Sequence, residues 1–272
     1  MEELLRLENV SKIVRSADGE EHCISRSIDL TLNKGDFVTV IGSNGAGKST
    51  LLNLISGGLQ ASSGSIFLNK QKINGMKVHQ RAKAMARVFQ DPQIGTCPHL
   101  TVAENLAIAE KRGKKRGLLP ALSKDKKKRY SELLKKMGMG LEERLETEAG
   151  LLSGGQRQVL TLLMATMQSP ELLLLDEHTA ALDPHTSNQV MKLTKTVVEE
   201  QGLTTLMITH NMQDAIDYGN RLIMLHKGEI VADLDQEKKS QLTHQQLLTW
   251  FRNLSRGEAV DLEEGEAALV YA

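Results

Sequence analysis

With 272 residues, the chain is long enough for one large or two small domains with a substantial core. Lys+Arg and Asp+Glu balance at 34 each and aromatics make up only 3% of residues, so neither a basic field nor a stacking platform for nucleic acid is indicated. The two cysteines, Cys23 and Cys97, have no metal or disulfide spacing, and no apolar run approaches the ~18–20 residues of a membrane span.

The acidic start MEELLRLENV lacks the basic-then-apolar layout of a secretory signal, so a reducing, cytoplasmic setting is expected. Residues 4–14 and 23–32 alternate apolar and polar positions, as half-buried antiparallel strands do, and Asp18-Gly19 between them is a hairpin signal. Asn33-Lys34-Gly35-Asp36 then turns the chain into a β-branched run, Val38–Ile41. A glycine-rich loop follows, and then a short leucine-rich helix closed by Gly57-Gly58. Ser63–Leu68 and the Asn74-Gly75 turn suggest a small antiparallel layer. Arg87–Phe89 reads as a buried strand that ends at Gln90 before Pro92.

Thr101 with Glu104 three residues later is a capping box opening a helix to about Arg112. Between Lys111 and Arg129 ten Lys/Arg face one acid. Two readings remain open for this run: a solvated loop flanking a helix, or attraction to an anionic membrane face. Nucleic-acid binding is disfavoured because no aromatics interleave with it. Residues 130–146 are helical with an interruption at Gly138-Met139-Gly140. A helix follows Leu152–Gln156 and stops before Pro170, and Glu171–Glu177 is an apolar strand closed by two carboxylates. His185–Glu200 is an amphipathic helix, Thr204–Thr209 a buried strand ending at His210, and Leu222–Leu225 with Ile230–Asp233 a closing hairpin. The spacing predicts one more helix over 240–253, with Trp250 and Phe251 on its apolar face. Beyond Gly257 there are five acids and no base, a pattern typical of a solvated tail.

The chemistry centres on Gly42-x-x-x-x-Gly47-Lys48-Ser49, which is the phosphate-loop spacing. Backbone N–H groups from Gly42, Ser43, Asn44, Gly45, Ala46, Gly47 and onward to Thr50 can converge on phosphate oxygens at a helix start. Lys48 can reach the β- and γ-phosphates, and the Ser49 hydroxyl can ligate Mg²⁺. Strands alternating with helices around such a loop imply a mostly parallel sheet whose carboxyl ends form the site. Gly42, Gln90, Asp176-Glu177 and His210 all stand where a predicted strand stops. Asp176 suits Mg²⁺, and Glu177 beside it suits activation of a water. His210 in isolation reads as a structural histidine; at this strand end it reads as part of the site.

LSGGQ at Leu152–Gln156 completes a set that resembles the ATP-binding subunits of ABC transporters from about residue 4 to 235. The phosphate loop, Gln90, the signature, Leu172–Glu177, Ala181-Leu182-Asp183 and His210 occur in that family's order. The resemblance implies an α/β, P-loop NTPase (RecA-like) fold. It would have a mostly parallel sheet core (1–92 and 161–235), a small antiparallel β layer, an inserted α-helical subdomain (93–160) and a C-terminal helix and tail (236–272). It also implies two ATP molecules sandwiched between this chain and a second copy, the phosphate loop of one facing Ser153, Gly154, Gly155 and Gln156 of the other. Lys48 would neutralise phosphate charge; Ser49, Gln90 and Asp176 would hold Mg²⁺. Glu177 would be the general base, His210 would contact the γ-phosphate, and Asp183 would couple the two sites. One departure stands out. Where the family usually places an adenine-stacking aromatic there are Ile13 and Val14, so adenine would pack on Val14, with reduced discrimination between ATP and GTP.

Finer matches, including LLLLDEHTAALDP with His178 where many relatives carry proline, resemble a bacterial subgroup linked to a permease and a substrate-binding lipoprotein. Its suggested cargo includes aromatic amino acids. The expected setting is the inner face of the cell membrane, bound peripherally. An exporter or extraction ATPase, and a soluble ABC protein acting on ribosomes or DNA, are the alternatives. The last usually has two cassettes or a long coiled-coil insertion, and this chain shows neither.

Overall fold

The computed structural model describes residues 2–16, 18–114 and 121–256; the acidic segment after Gly257, and Lys115 and Arg116 of the basic run, lie outside them. In chain order the elements begin with β1 (Glu3–Arg15), β2 (Glu21–Asn33), β3 (Phe37–Gly42), α1 (Lys48–Ser56), β4 (Ser63–Leu68), β5 (Gln71–Lys72) and α2 (Val78–Arg81). Next come β6 (Met85–Val88), α3 (Val102–Glu110), α4 (Lys124–Met137), α5 (Gly154–Thr166), β7 (Leu172–Asp176) and α6 (Pro184–Gln201). The last are β8 (Thr204–Ile208), α7 (Met212–Asp217), β9 (Arg221–His226), β10 (Glu229–Leu234), α8 (Gln236–Gln241) and α9 (His244–Arg256). By contacts the chain forms two compact units, one from the segments up to Arg81 and from Thr204 onward, the other Ala82–Leu203.

In the first unit β3 is buried at every position, as expected of a β-branched strand covered on both faces. It pairs in parallel with β8 on one side and β9 on the other, and β10 closes that edge antiparallel to β9. The antiparallel layer runs β2-β1-β4-β5, with bulges along β1 that carry Asn9 through φ 49. A core of Ile41, Ala215, Leu222, Met224 and Leu247 gathers α7 and α9 against the sheet, and Trp250 and Phe251 pack partly buried on it. Besides Lys48 of the loop, two cations are buried here. Arg81 donates to the Leu54, Ile55 and Ile73 carbonyls, each at 2.7 Å, and so seals the C-terminal end of α1. The Lys239 ammonium donates to the Tyr218 and Gly219 carbonyls, and burial pushes its pKa down to about 8.

The single helix expected over 240–253 is two. α8 ends before Leu242, and Thr243 opens α9 with a reciprocal pair: its N–H donates to Gln246 Oε1 at 2.9 Å and its Oγ1 accepts from the Gln246 N–H at 3.3 Å. That Thr-x-x-Gln box is a start signal strong enough to divide an otherwise continuous polar stretch.

In the second unit β6 and β7 pair in parallel, and four leucines make β7 fully buried up to Asp176. α3 opens on Thr101 with both halves of the capping box formed. α4 ends at Gly138 in the left-handed region, as the glycine interruption implies. Four cations of the basic run are committed within the chain. Lys126 and Arg129 pair with Glu110 at 3.0 and 2.7 Å, Lys127 with Glu146 at 2.8 Å, and Arg112 donates to the Ala165 carbonyl. Burial alone would raise the Glu110 pKa, but the Tyr130 hydroxyl and these cations bring it down to about 2. Three of the ten, Lys126, Lys127 and Arg129, therefore belong to a paired face of α4.

Candidate functional site

The phosphate loop is built by close backbone contact in the first unit. A Cβ on Gly42 would lie 2.4 Å from the Leu225 carbonyl oxygen of β9, so the strand can end there only on glycine. The loop closes with the Ala46 N–H donating to Ser43 and the Gly228 N–H donating to Ala46, both at 3.1 Å. Gly47, at φ 98, then starts α1 in a conformation that L side chains rarely adopt. Lys48 is buried, and its ammonium curls over the loop to the Gly42 and Ser43 carbonyls at 2.7 and 3.1 Å. A positive charge thus sits against the start of the loop, and Ser49 lies one residue into the helix. A cavity of about 270 Å³ opens beside the loop, lined by Gly42, Ser43, Asn44, Thr209, His210 and Phe251. His210 is exposed just past the end of β8, and Asn211 behind it caps α7 through the Gln213 and Asp214 N–H groups. Val14 is half-buried on β1 opposite His22.

The second unit carries the carboxylates and the signature. Arg87, inside β6, pairs with Asp176 Oδ2 and lies over the Phe89 ring at 4.7 Å. Glu177 follows at φ 47. Gln90 is exposed, two residues beyond the end of β6, one residue later than the expected strand implied.

Ser153 caps α5: its hydroxyl accepts from the Gln156 N–H while Gln156 Oε1 accepts from the Ser153 N–H, both at 3.3 Å. The Gln156 amide also donates to the Met139 carbonyl at 3.2 Å, so this side chain fixes the start of the helix. A Cβ on Gly155 would lie 2.2 Å from the Thr186 methyl, which is how closely α5 and α6 approach. Arg157 holds the preceding turn through the Ala149 and Gly150 carbonyls, and buried Gln158 donates to the Phe89 carbonyl next to Gln90. Asp183 caps α6, accepting from the Thr186 N–H at 3.0 Å, and these hydrogen bonds hold its carboxyl below the usual range.

The phosphate loop between a buried parallel strand and a helix, with a serine-capped Gly-Gly helix start elsewhere in the chain, is the combination that decides the family. The family profile described as ABC transporter matches residues 25–180. A tyrosine transport ATP-binding protein of Clostridioides difficile is 46% identical over 91% of this chain and 98% of its own length. The chain belongs to the ATP-binding subunits of ABC transporters. A thiamine import ATP-binding protein of Photobacterium profundum is 35% identical over 76% of the chain and 81% of its own. Among solved structures, a dimeric post-hydrolysis ATP-binding cassette with ADP and Pi bound matches with TM-score 0.74 and 29% identity. The match covers 86% of this chain and 99% of that one.

As an ABC ATP-binding subunit the chain has the P-loop NTPase fold and binds and hydrolyses ATP. Among the described residues no helix is long and apolar enough to cross a membrane. The sequence reading missed Phe251 as a wall of the loop cavity and Arg87 as the partner of Asp176. A cation inside the Met85–Val88 strand was the available signal, since a charge in a buried strand needs a counter-charge. Among the described residues no cluster of three His, Cys, Asp or Glu could hold a metal by itself. The donors expected to serve Mg²⁺ are the Ser49 hydroxyl, the Gln90 amide and the Asp176 carboxylate. All are hard oxygens, and Mg²⁺ at nucleotide sites takes few protein ligands together with phosphates and water. The donor set fits.

Proposed function

We propose that the chain energises solute uptake through a separate permease, with an aromatic amino acid of the tyrosine type as cargo. The observation that carries this is the relative named for tyrosine transport, matched over nearly its whole length. The relative named for thiamine import supports the direction of transport. A second copy of the chain completes each ATP site, the phosphate loop Gly42–Thr50 of one copy opposing Ser153, Gly154, Gly155 and Gln156 of the other. The dimeric cassette supports this pairing. The pair works peripherally on the inner face of the membrane with an integral permease and an extracytoplasmic binding lipoprotein.

In this reading 1–92 and 161–235 form the ATP-binding core, 236–272 extends it, and 93–160 docks on the permease. An open groove of about 480 Å³, lined by Phe89, Ile94, Ile108, Lys111 and Met164, supports the docking role. So do Ile94 and Ile108 at its wall, 65% and 43% exposed although apolar.

Lys48 and the loop amides neutralise the phosphates, and His210 contacts the γ-phosphate. Glu177 takes a proton from water as the water oxygen bonds to the γ-phosphorus and the bond to the bridging oxygen of ADP breaks. Ser49, Gln90 and Asp176 would hold Mg²⁺, which would supply Lewis-acid withdrawal of charge from the phosphates. Asp183 couples the two sites of the pair, and adenine packs on Val14.

The test is uptake of labelled tyrosine in cells lacking the chain. Uptake is expected to fall and to be restored by the wild type but not by Glu177→Gln. Unchanged tyrosine uptake would overturn the cargo assignment.

A further inference from the structure

Glu177 holds φ 47, a region that non-glycine residues keep only when their surroundings impose it. The chain then turns tightly, the Glu177 carbonyl accepting from Ala180 N–H at 2.9 Å and the Thr179 carbonyl from Leu182 N–H at 3.1 Å. His178 sits inside this turn, 2% exposed, with Nε2 3.0 Å from Thr194 Oγ1 nearly three turns into α6. Thr194 is wholly buried, and its hydroxyl proton goes to the Val190 carbonyl at 2.8 Å. A carbonyl can only accept, so the threonine oxygen is left to accept in turn, and the imidazole is the donor. His178 therefore carries a proton on Nε2 and is clamped to the helix by one directed bond.

We propose that His178 is a positioning residue for Glu177. The His178–Thr194 clamp anchors the residue after Glu177 to α6 and so maintains the left-handed turn from which the carboxylate meets the attacking water. The proposal rests on the general-base role of Glu177 given above. It differs from mere packing in what it demands: loss of the bond must slow the chemical step by more than any loss of stability explains, without weakening nucleotide binding.

The test uses the full-length chain with His178→Leu, His178→Gln and Thr194→Val, alone and in a Glu177→Gln background. Turnover, KM for ATP and thermal unfolding are measured together, with single-turnover hydrolysis for the Gln background. His178→Leu and Thr194→Val are each expected to lower kcat about 10- to 100-fold, the scale of a misplacement near 1 Å, with KM held and Tm lowered only by the few degrees that one unpaired buried polar group costs. Their double variant should lose no more than either alone. His178→Gln, whose amide can donate to the same oxygen, should recover most of the rate. In the Glu177→Gln background, His178→Leu should leave the residual rate unchanged. Wild-type kcat in both single variants, losses that track Tm, or a further loss in the Glu177→Gln background would each overturn the proposal. Should His178→Leu fail to fold, Thr194→Val, which removes only a hydroxyl, carries the comparison. Wild-type turnover in Glu177→Gln itself would instead overturn the base assignment, whatever His178 does.

Discussion

Arg81→Met should destabilise the chain by about 3–4 kcal/mol, a large part of the roughly 5–15 kcal/mol typical of a globular protein. The guanidinium is 3% exposed and donates to the Leu54, Ile55 and Ile73 carbonyls at 2.7 Å, with longer bonds to Met76 at 3.2 Å and Asn74 at 3.3 Å. Two of the three short bonds go to the last turn of α1, where carbonyls lack intrahelical partners and the helix dipole favours a cation. Methionine fills much of the volume but leaves the Leu54 and Ile55 carbonyls buried and unpaired, at about 1–3 kcal/mol each, while the Ile73 carbonyl keeps its bond from the Met76 N–H at 2.9 Å. Burial already lowers the Arg81 pKa, so removing the charge returns part of its desolvation cost and brings the net down to the stated figure. Lysine can satisfy some of the carbonyls as a point charge, so Arg81→Lys should fall between the two. Urea unfolding followed by circular dichroism measures all three proteins. A loss below about 1 kcal/mol for the methionine variant would refute the sealing role, because unpaired buried carbonyls cannot be that inexpensive.

Glu177→Gln should retain ATP affinity and accumulate an ATP-bound dimer detectable by size-exclusion chromatography; wild-type turnover would count against Glu177 as the base. Lys239 titrates at about 8 when folded and at its ordinary 10.5 when unfolded, so between those values the unfolded chain holds the extra proton. Wild-type stability should therefore rise relative to Lys239→Met from pH 8 to 10.5, by up to about 3 kcal/mol; a flat difference would mean the Tyr218 and Gly219 carbonyls keep the proton in place. Wild-type kcat/KM for ATP and GTP should agree within about threefold, and Val14→Tyr should lower KM for both by about 2- to 10-fold, since a ring offers any base a stacking face. Strong ATP preference in the wild type would show that adenine is read elsewhere.

The elements that the sequence announced most clearly were those in which one local pattern had one physical solution. Leu172–Leu175 is a continuous apolar run and Val38–Ile41 a β-branched run broken only by the Thr39 hydroxyl, and both became strands buried on each side. The phosphate loop followed from glycine spacing alone. What stayed hidden depended on pairs distant in the chain. Nothing near Arg81 announces that it will cap α1, and nothing near Asp176 names Arg87, 89 residues earlier. Phe251 was read as an apolar face without a destination; its place beside His210 is set by how α9 folds back, which the Thr243–Gln246 box helps to fix. That box was itself legible and was passed over because the flanking residues are all tolerable in a helix. His178 was visible only as an unusual residue in a familiar motif, and its threonine partner had to be found in space.

The Ser153 cap has a consequence for how an anion is met. A hydroxyl that accepts an N–H bond with a lone pair still has its own proton to give, so this one oxygen can hold α5 shut and remain a donor. Aspartate would cap the helix as well or better, but would offer a second negative charge where the proposed pairing of two copies brings a phosphate. Alanine would leave the approach neutral and open the helix end. Among common caps only serine, threonine and asparagine, which accept and donate without a charge, serve both needs, which makes this position sensitive to substitutions that a stability measurement alone would pass as harmless.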